Sequence, residues 1–273
     1  MQNIMKKQCP LCKSEKISFK LVDYKMNQYW KCIDCQFLFQ NPITKYSYNE
    51  NYWTNAIDPD GKEKDQTSMR EFKIKNWYGD ISKFVRDQKS GKIFDVGCGL
   101  GYLLSDIPNT WEKHGSDASE FAISFIKKKF REIIIDELDL ENPPPENLRN
   151  FDVVVCYHVI EHIEQPDIFF KHLSMMVKKN GILIVGTPNV GSFIAKRFKG
   201  NFRLFGIGHL SLFNIKNLEM LFEKNNFKVI KKEYPFFKTD YFNIKNILKI
   251  FNTKKISPPF YGNIMTLYGR KSI

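Results

Sequence analysis

Two Cys-x-x-Cys knuckles, Cys9-Pro10-Leu11-Cys12 and Cys32-Ile33-Asp34-Cys35, flank residues 13–31. Each tight turn can aim two thiolates at one point, and four thiolates complete a tetrahedral zinc shell with no open position. Cys9, Cys12, Cys32 and Cys35 therefore predict a structural Zn2+ site rather than a catalytic one. Disulfides are the competing reading, which a reducing compartment disfavours. Cys98 and Cys156 lie in apolar strand contexts and read as small core residues rather than nucleophiles.

A second candidate is Ile93–Gly101, I-F-D-V-G-C-G-L-G, where an apolar run ends in three alternate glycines and a helix begins near Tyr102. Glycine lets the backbone approach a ligand closely, and a helix start offers free N–H groups. The spacing D-x-G-x-G-x-G differs from the dinucleotide pattern G-x-G-x-x-G. For proton transfer near neutral pH, histidine is the suitable side chain. His209, in the glycine-flanked segment Gly206–Phe213, is the first choice of base and His158 the second, with an ordinary hydrogen-bonded role as the alternative for each. His162 with Glu161 reads as a brace for its loop, and His172 as structural.

These groups need a scaffold. The chain has 273 residues, 42% hydrophobic and 26% charged, enough for one large α/β domain with an appendage and too apolar for global disorder. No run is long and apolar enough for a membrane span. Met1–Gln8 lacks the apolar stretch of a secretory signal, so a cytoplasmic location is expected. Strands at Lys92–Val96, His114–Asp117, Ile133–Ile135, Phe151–Cys156 and Ile182–Gly186 alternate with helical patterns, which predicts a Rossmann-like, mostly parallel sheet with helices on both faces. Residues 1–42 form the ribbon, 43–88 an aromatic and helical linker or lid, and 89–273 the main domain. Tyr48, Tyr52 and Trp53 could wall the acceptor or simply pack the ribbon. Charge is uneven: residues 1–188 hold 26 basic and 26 acidic side chains, whereas 189–273 hold 16 and 4. A basic lobe of that kind suits a phosphorylated substrate, an acidic membrane or RNA. Ile244, Ile247, Leu248 and Phe251 share a helical face with Lys245 and Lys249 beside it, the pattern of an interfacial helix or of an insertion packed near the last strands.

The glycine segment resembles motif I of the class I S-adenosylmethionine-dependent methyltransferases. That resemblance implies a seven-stranded sheet and S-adenosylmethionine as cofactor. It assigns cofactor contacts to Asp95, Gly97, Cys98, Gly99 and Gly101, and an acid for the ribose hydroxyls to Asp117. It also assigns Asp139-Leu140 to the adenine, and Tyr157, in the run from Phe151, to the cofactor. H-V-I-E-H-I-E-Q-P, G-T-P-N and G-H-L-S-L-F-N resemble the branch containing ubiquinone-biosynthesis O-methyltransferases and methyltransferases of sugars. Some ubiquinone-type relatives bind a divalent ion through an acid three residues before this Glu-His pair; His158 holds that position here, so no magnesium is expected. The N-terminal ribbon resembles that of members from sugar and surface-polysaccharide pathways. The expected substrate is a small, phosphate-bearing molecule, a sugar nucleotide or glycan precursor. An rRNA or tRNA methyltransferase and a non-catalytic S-adenosylmethionine-binding scaffold are the alternatives.

Overall fold

The computed structural model describes residues 6–44, 49–58, 61–139, 142–206 and 208–272. At the N-terminus β1 (Ile17–Val22), β2 (Gln28–Cys32) and β3 (Leu38–Gln40) form an antiparallel ribbon between and beyond the knuckles. A two-residue pairing of β4 (Ala56–Ile57) with β5 (Glu63–Lys64) follows. Residues 70–86 are helical, with a π-turn over Ile74–Tyr78. Such turns arise where a helix must re-aim side chains, often at functional sites.

The main sheet is built from β6 (Gly91–Val96), β7 (Trp111–Ser116), β8 (Ile133–Ile135), β9 (Phe151–Tyr157) and β10 (Val177–Pro188). After β11 (Ser211–Leu212), β12 (Phe227–Glu233) and β13 (Ile264–Lys271) complete it, in the order β12-β13-β10-β9-β6-β7-β8. Only β13 runs against its neighbours. Buried on both faces, β9 (F-D-V-V-V-C-Y) is almost continuously apolar, as parallel strands covered by helices must be. Alternate residues feed separate cores: Phe94, Val154 and Leu183 on one side, Ile93, Val155 and Ile184 on the other. β6 pairs with β7 on one side and β9 on the other, so the chain reverses its direction of travel across the sheet at the end of β6. A crevice opens at such a point.

The ribbon does not hang free. β11 adds to its sheet by pairing with β3, and Leu11, Phe37 and Phe39 are buried in the same cluster as Phe94 and Phe151. Among the described residues no helix is long and apolar enough to cross a membrane.

Candidate functional site

A cavity of about 850 Å³ lies at the end of β6. Gly97, Gly99 and Gly101 all have positive φ, which an L side chain adopts only under strain. At Gly97 a Cβ would stand 2.3 Å from Val159 Cγ2, so the turn closes only without a side chain. Asp117 ties the loop to the end of β7: its Oδ2 accepts from the Gly99 amide at 2.8 Å and its Oδ1 from Ser119 at 2.9 Å. Burial pushes the Asp117 carboxyl up while those amides oppose the shift. Burial, with the nearby charge of Asp117, pushes Asp95 well above the usual range. Two crowded carboxyl groups welcome a cationic ligand.

Tyr52, Trp53, Gln66, Lys73, Trp77 and Tyr78 line the cavity beside the loop. Trp53 donates from Nε1 to Ser119 Oγ at 2.8 Å, and its ring would lie 3.1 Å from a Cβ on Gly99. Lys73, 5% exposed, lines the cavity and donates to Gln66 Oε1 at 2.7 Å. It faces the rings of Trp77, Trp53 and Tyr102 at 5.0–5.8 Å. Desolvation lowers its ammonium to about 8. No carboxylate pairs with it among the described residues, so a buried cation faces the cavity with only a neutral amide and π-faces around it.

The opposite wall is organised by Glu161, which is fully buried. Its Oε1 accepts from His158 Nδ1 at 2.8 Å and its Oε2 from Thr187 Oγ1 at 3.0 Å. Burial opposes ionisation, but the His158 bond and the surrounding imidazoles hold the carboxyl down at about 2. His158 sits at φ +59, a conformation kept only where neighbours over-determine it; its amide donates to Gly186 at 2.8 Å. With Nδ1 engaged, Nε2 is the ring nitrogen left for a substrate in the cavity that His158 lines. His162 donates from Nδ1 to the Gly208 carbonyl at 3.0 Å and also lines the cavity. Glu161, His162 and His209 could each offer one metal-ligating atom within 4.8 Å of the others. Glu161 Oε1 and Oε2 and the Nδ1 atoms of His162 and His209 each already hold a protein partner, so the three are tied into the wall by hydrogen bonds.

The structure places several expected positions away from the cavity lining. His209 does not line the cavity: its Nδ1 donates to the Leu204 carbonyl at 2.6 Å, its ring packs on His162 at 4.8 Å, and burial lowers its imidazole to about 3. A base must reach the acceptor proton, and this ring is spent inside the loop. Asp95 and Gly101 also lie outside the lining: Asp95 is buried beneath the loop, and Gly101 abuts Ile126. Gly97, Cys98, Gly99, Asp117, Asp139 and Tyr157 do line it. Leu140 and Tyr48 lie outside the described residues, whereas Tyr52 and Trp53 are in the wall. Lys73 is the residue that sequence reasoning missed. Its signal was a lysine on the apolar face of the helical pattern, one turn from both Met69 and Trp77.

At the knuckles the cysteines are free thiols. Cys9 and Cys35 Sγ are 3.7 Å apart, Cys12 and Cys32 Sγ 3.5 Å, and all four lie within 4.8 Å of one another. A zinc tetrahedron with thiolate bonds near 2.3 Å has edges of about 3.8 Å. The four sulfurs fit that ion, with no gap for a fifth ligand.

The model of the family described as "Methyltransferase domain" matches residues 69–232, from the lid helix through β12. The chain belongs to this family. Curated relatives of this methyltransferase include the ubiquinone biosynthesis O-methyltransferase of Pelagibacter ubique, 30% identical over 158 residues (54% of this chain, 64% of that protein). The enzyme of the same description from Rickettsia typhi is 34% identical over 120 residues (43% of this chain, 46% of that one). The chain thus spans less than two thirds of either relative. Its fold is that of the Synechocystis PCC 6803 magnesium protoporphyrin IX methyltransferase crystallised with SAH: TM-score 0.53, 17% identity, 71% of this chain and 82% of that one. Class I S-adenosylmethionine-dependent methyltransferases share this architecture. Placing valine at Gly97 should abolish cofactor binding in calorimetry, because a branched side chain at positive φ would drive into Val159; retained affinity would mean the ligand lies elsewhere.

Proposed function

We propose that this methyltransferase moves the methyl group of S-adenosylmethionine to a hydroxyl on a small ring-bearing acceptor, with His158 as base and Glu161 holding its ring. The observation that carries the reading is the His158–Glu161 bond at 2.8 Å in the wall of the cavity that also holds the glycine loop. The cofactor supplies an electrophilic methyl on a sulfonium. His158 Nε2 takes the acceptor proton as the carbon–oxygen bond forms and the carbon–sulfur bond breaks. Glu161 stays ionised and stabilises the resulting imidazolium. Asp117 and Asp139 face the ribose and adenine, and the aromatic cover excludes water from the sulfonium.

Oxygen as the acceptor atom is supported by the O-methyltransferase relatives. The aromatic cover (Tyr52, Trp53, Trp77, Tyr78) suits a flat or sugar ring. Lys73 is the one lysine or arginine in the described lining, so a nucleotide diphosphate would find no second cation there. We therefore rank a neutral phenolic or sugar hydroxyl ahead of the sugar nucleotide expected from the ribbon and basic lobe. Labelled S-adenosylmethionine offered with separate panels of phenols, free sugars and nucleotide sugars decides it by mass spectrometry of the product; turnover confined to nucleotide sugars would reverse the ranking.

Lys73 meets the carboxylate of the cofactor's methionine part in this reading. Substitution by methionine should weaken cofactor binding about 10- to 100-fold, the worth of a charged hydrogen bond, with kcat at saturation little changed. In the parent protein, affinity should fall as pH rises past about 8 and the ammonium loses its proton. An unchanged Kd for the Lys73→Met variant would remove this role. The four cysteines hold a structural zinc ion in the ribbon, away from the chemistry.

A further inference from the structure

We propose that the C-terminal lobe is a docking surface for an anionic lipid bilayer. The helix Ile244–Lys249 is inverted relative to a core-packed one. Asn246 is turned inward at 9% exposure, its Nδ2 donating to the Tyr241 carbonyl at 2.9 Å, while Ile244 and Leu248 are 74% and 62% exposed and Phe251 is 70% exposed. Positions i, i+4 and i+7 fall on one side, so the three make one outward stripe. Phe237 and Phe242, both exposed, meet edge to face beside it with ring centroids 5.3 Å apart, and Phe237 meets Tyr261 at 5.2 Å. The Phe193–Phe198 helix adjoins through Arg197 Nε, which donates to the Ile250 carbonyl at 2.8 Å, and it adds exposed Phe193. An apolar group of this kind, open to water on a soluble fold, marks an interaction surface.

Charge selects the occupant. Three of the lobe's four acids are already paired: Glu219 with Lys232, Glu233 with Lys231, and Asp240 with Lys75 of the lid helix. Lys245, Lys249, Lys254 and Lys255 make no ion pair among the described residues, and they flank or follow the apolar stripe. Lysines around exposed aliphatic and aromatic side chains match a bilayer interface, where headgroup anions meet the ammonium groups and acyl chains take the apolar ones. RNA would use the lysines but has no place for Ile244 and Leu248. The surface also adjoins the cavity wall. Trp77 donates from Nε1 to Tyr241 Oη at 3.1 Å, and Asn76 exchanges hydrogen bonds with Asp240.

The test is co-sedimentation of the full chain with vesicles of phosphatidylcholine alone, or with about one third phosphatidylglycerol. Binding is expected to the anionic vesicles only. The double variant Ile244→Glu/Phe251→Glu should lower it about 100-fold, and Lys245→Glu/Lys249→Glu about 10-fold. Both variants should keep the parent melting curve and cofactor affinity, since neither pair lines the cavity. A Leu248→Trp reporter in the otherwise unaltered chain should show blue-shifted emission on the anionic vesicles. The inference is overturned if the chain ignores those vesicles, or if the apolar-to-glutamate pair binds them like the parent. It is also overturned if the lobe instead retains duplex RNA, or if the apolar change dissociates a dimer with no vesicle binding in the parent. None of these outcomes bears on the methyl-transfer reading.

Discussion

Replacing His158 with alanine is expected to slow methyl transfer by about 100- to 10,000-fold, the span typical of a lost general base, with cofactor affinity held within about threefold because the glycine loop and Asp117 are untouched. Glu161 accepts a hydrogen bond from Nδ1–H, which fixes the tautomer that leaves Nε2 as the free acceptor, and Thr187 donates to the second carboxylate oxygen. Glu161→Gln should therefore lose about 10- to 100-fold in kcat, since an amide can no longer stabilise the imidazolium. The fall should appear in kcat rather than KM, and the acid limb of the pH–rate profile should move. His209→Gln should leave kcat within a few fold in folded protein, because that ring is pinned to Leu204 behind the cavity. A His158→Ala enzyme that keeps about a third of its rate would assign the proton transfer to another group.

Much of the frame was legible in the sequence because it rests on local rules. Near-continuous apolar runs of strand length such as Phe151–Tyr157 suit a central strand between two helical layers. Three alternate glycines after Val96 suit a turn against a ligand or a neighbour, and Val159 and Trp53 are the neighbours at Gly97 and Gly99. The features that stayed hidden depend on pairings across great sequence distances. β11 is two residues long and joins a ribbon strand that begins at Leu38, a match no periodicity can announce. His209 follows a glycine hinge, which reads as freedom; the Leu204 carbonyl and the His162 ring that immobilise it come from the fold. Lys73 had one local signal, Met69 and Trp77 a turn away on the apolar face, but a lysine that reaches out to solvent shares it; the closure by Trp53 and Tyr102 comes from the fold. Asn246 and Ile244 exchanged the sides that amphipathic patterning would assign them.

Serine at both Cys9 and Cys32 should abolish zinc binding at the proposed four-thiolate site and destabilise more than the ribbon. Two thiolates cannot close a tetrahedral site, and the knuckle turns lose the ion that holds them together. Leu11, Phe37 and Phe39 would then lose their place in the core beneath Phe94, each worth about 1.5–3 kcal/mol when buried. A loss of at least about 5 kcal/mol lowers the Tm of a chain this size by about 10–20 °C. The damage should also reach the cavity. The ribbon holds residues 209–212 through β3–β11 pairing, through the Gln40 amide on the Leu210 carbonyl at 2.8 Å, and through Tyr29 Oη on the His209 carbonyl at 3.1 Å. Leu210 in turn donates its amide to the Glu161 carbonyl at 2.7 Å, and Gly208 anchors His162. Releasing the ribbon therefore loosens the wall that carries His158 and Glu161, so kcat should fall even below the new Tm. Metal analysis, a melting curve and a rate measured on the same preparation separate the cases. One zinc per parent chain and a joint loss in the variant are expected. A parent without zinc, or a variant with the parent's Tm and rate, would make the ribbon an ornament rather than a brace.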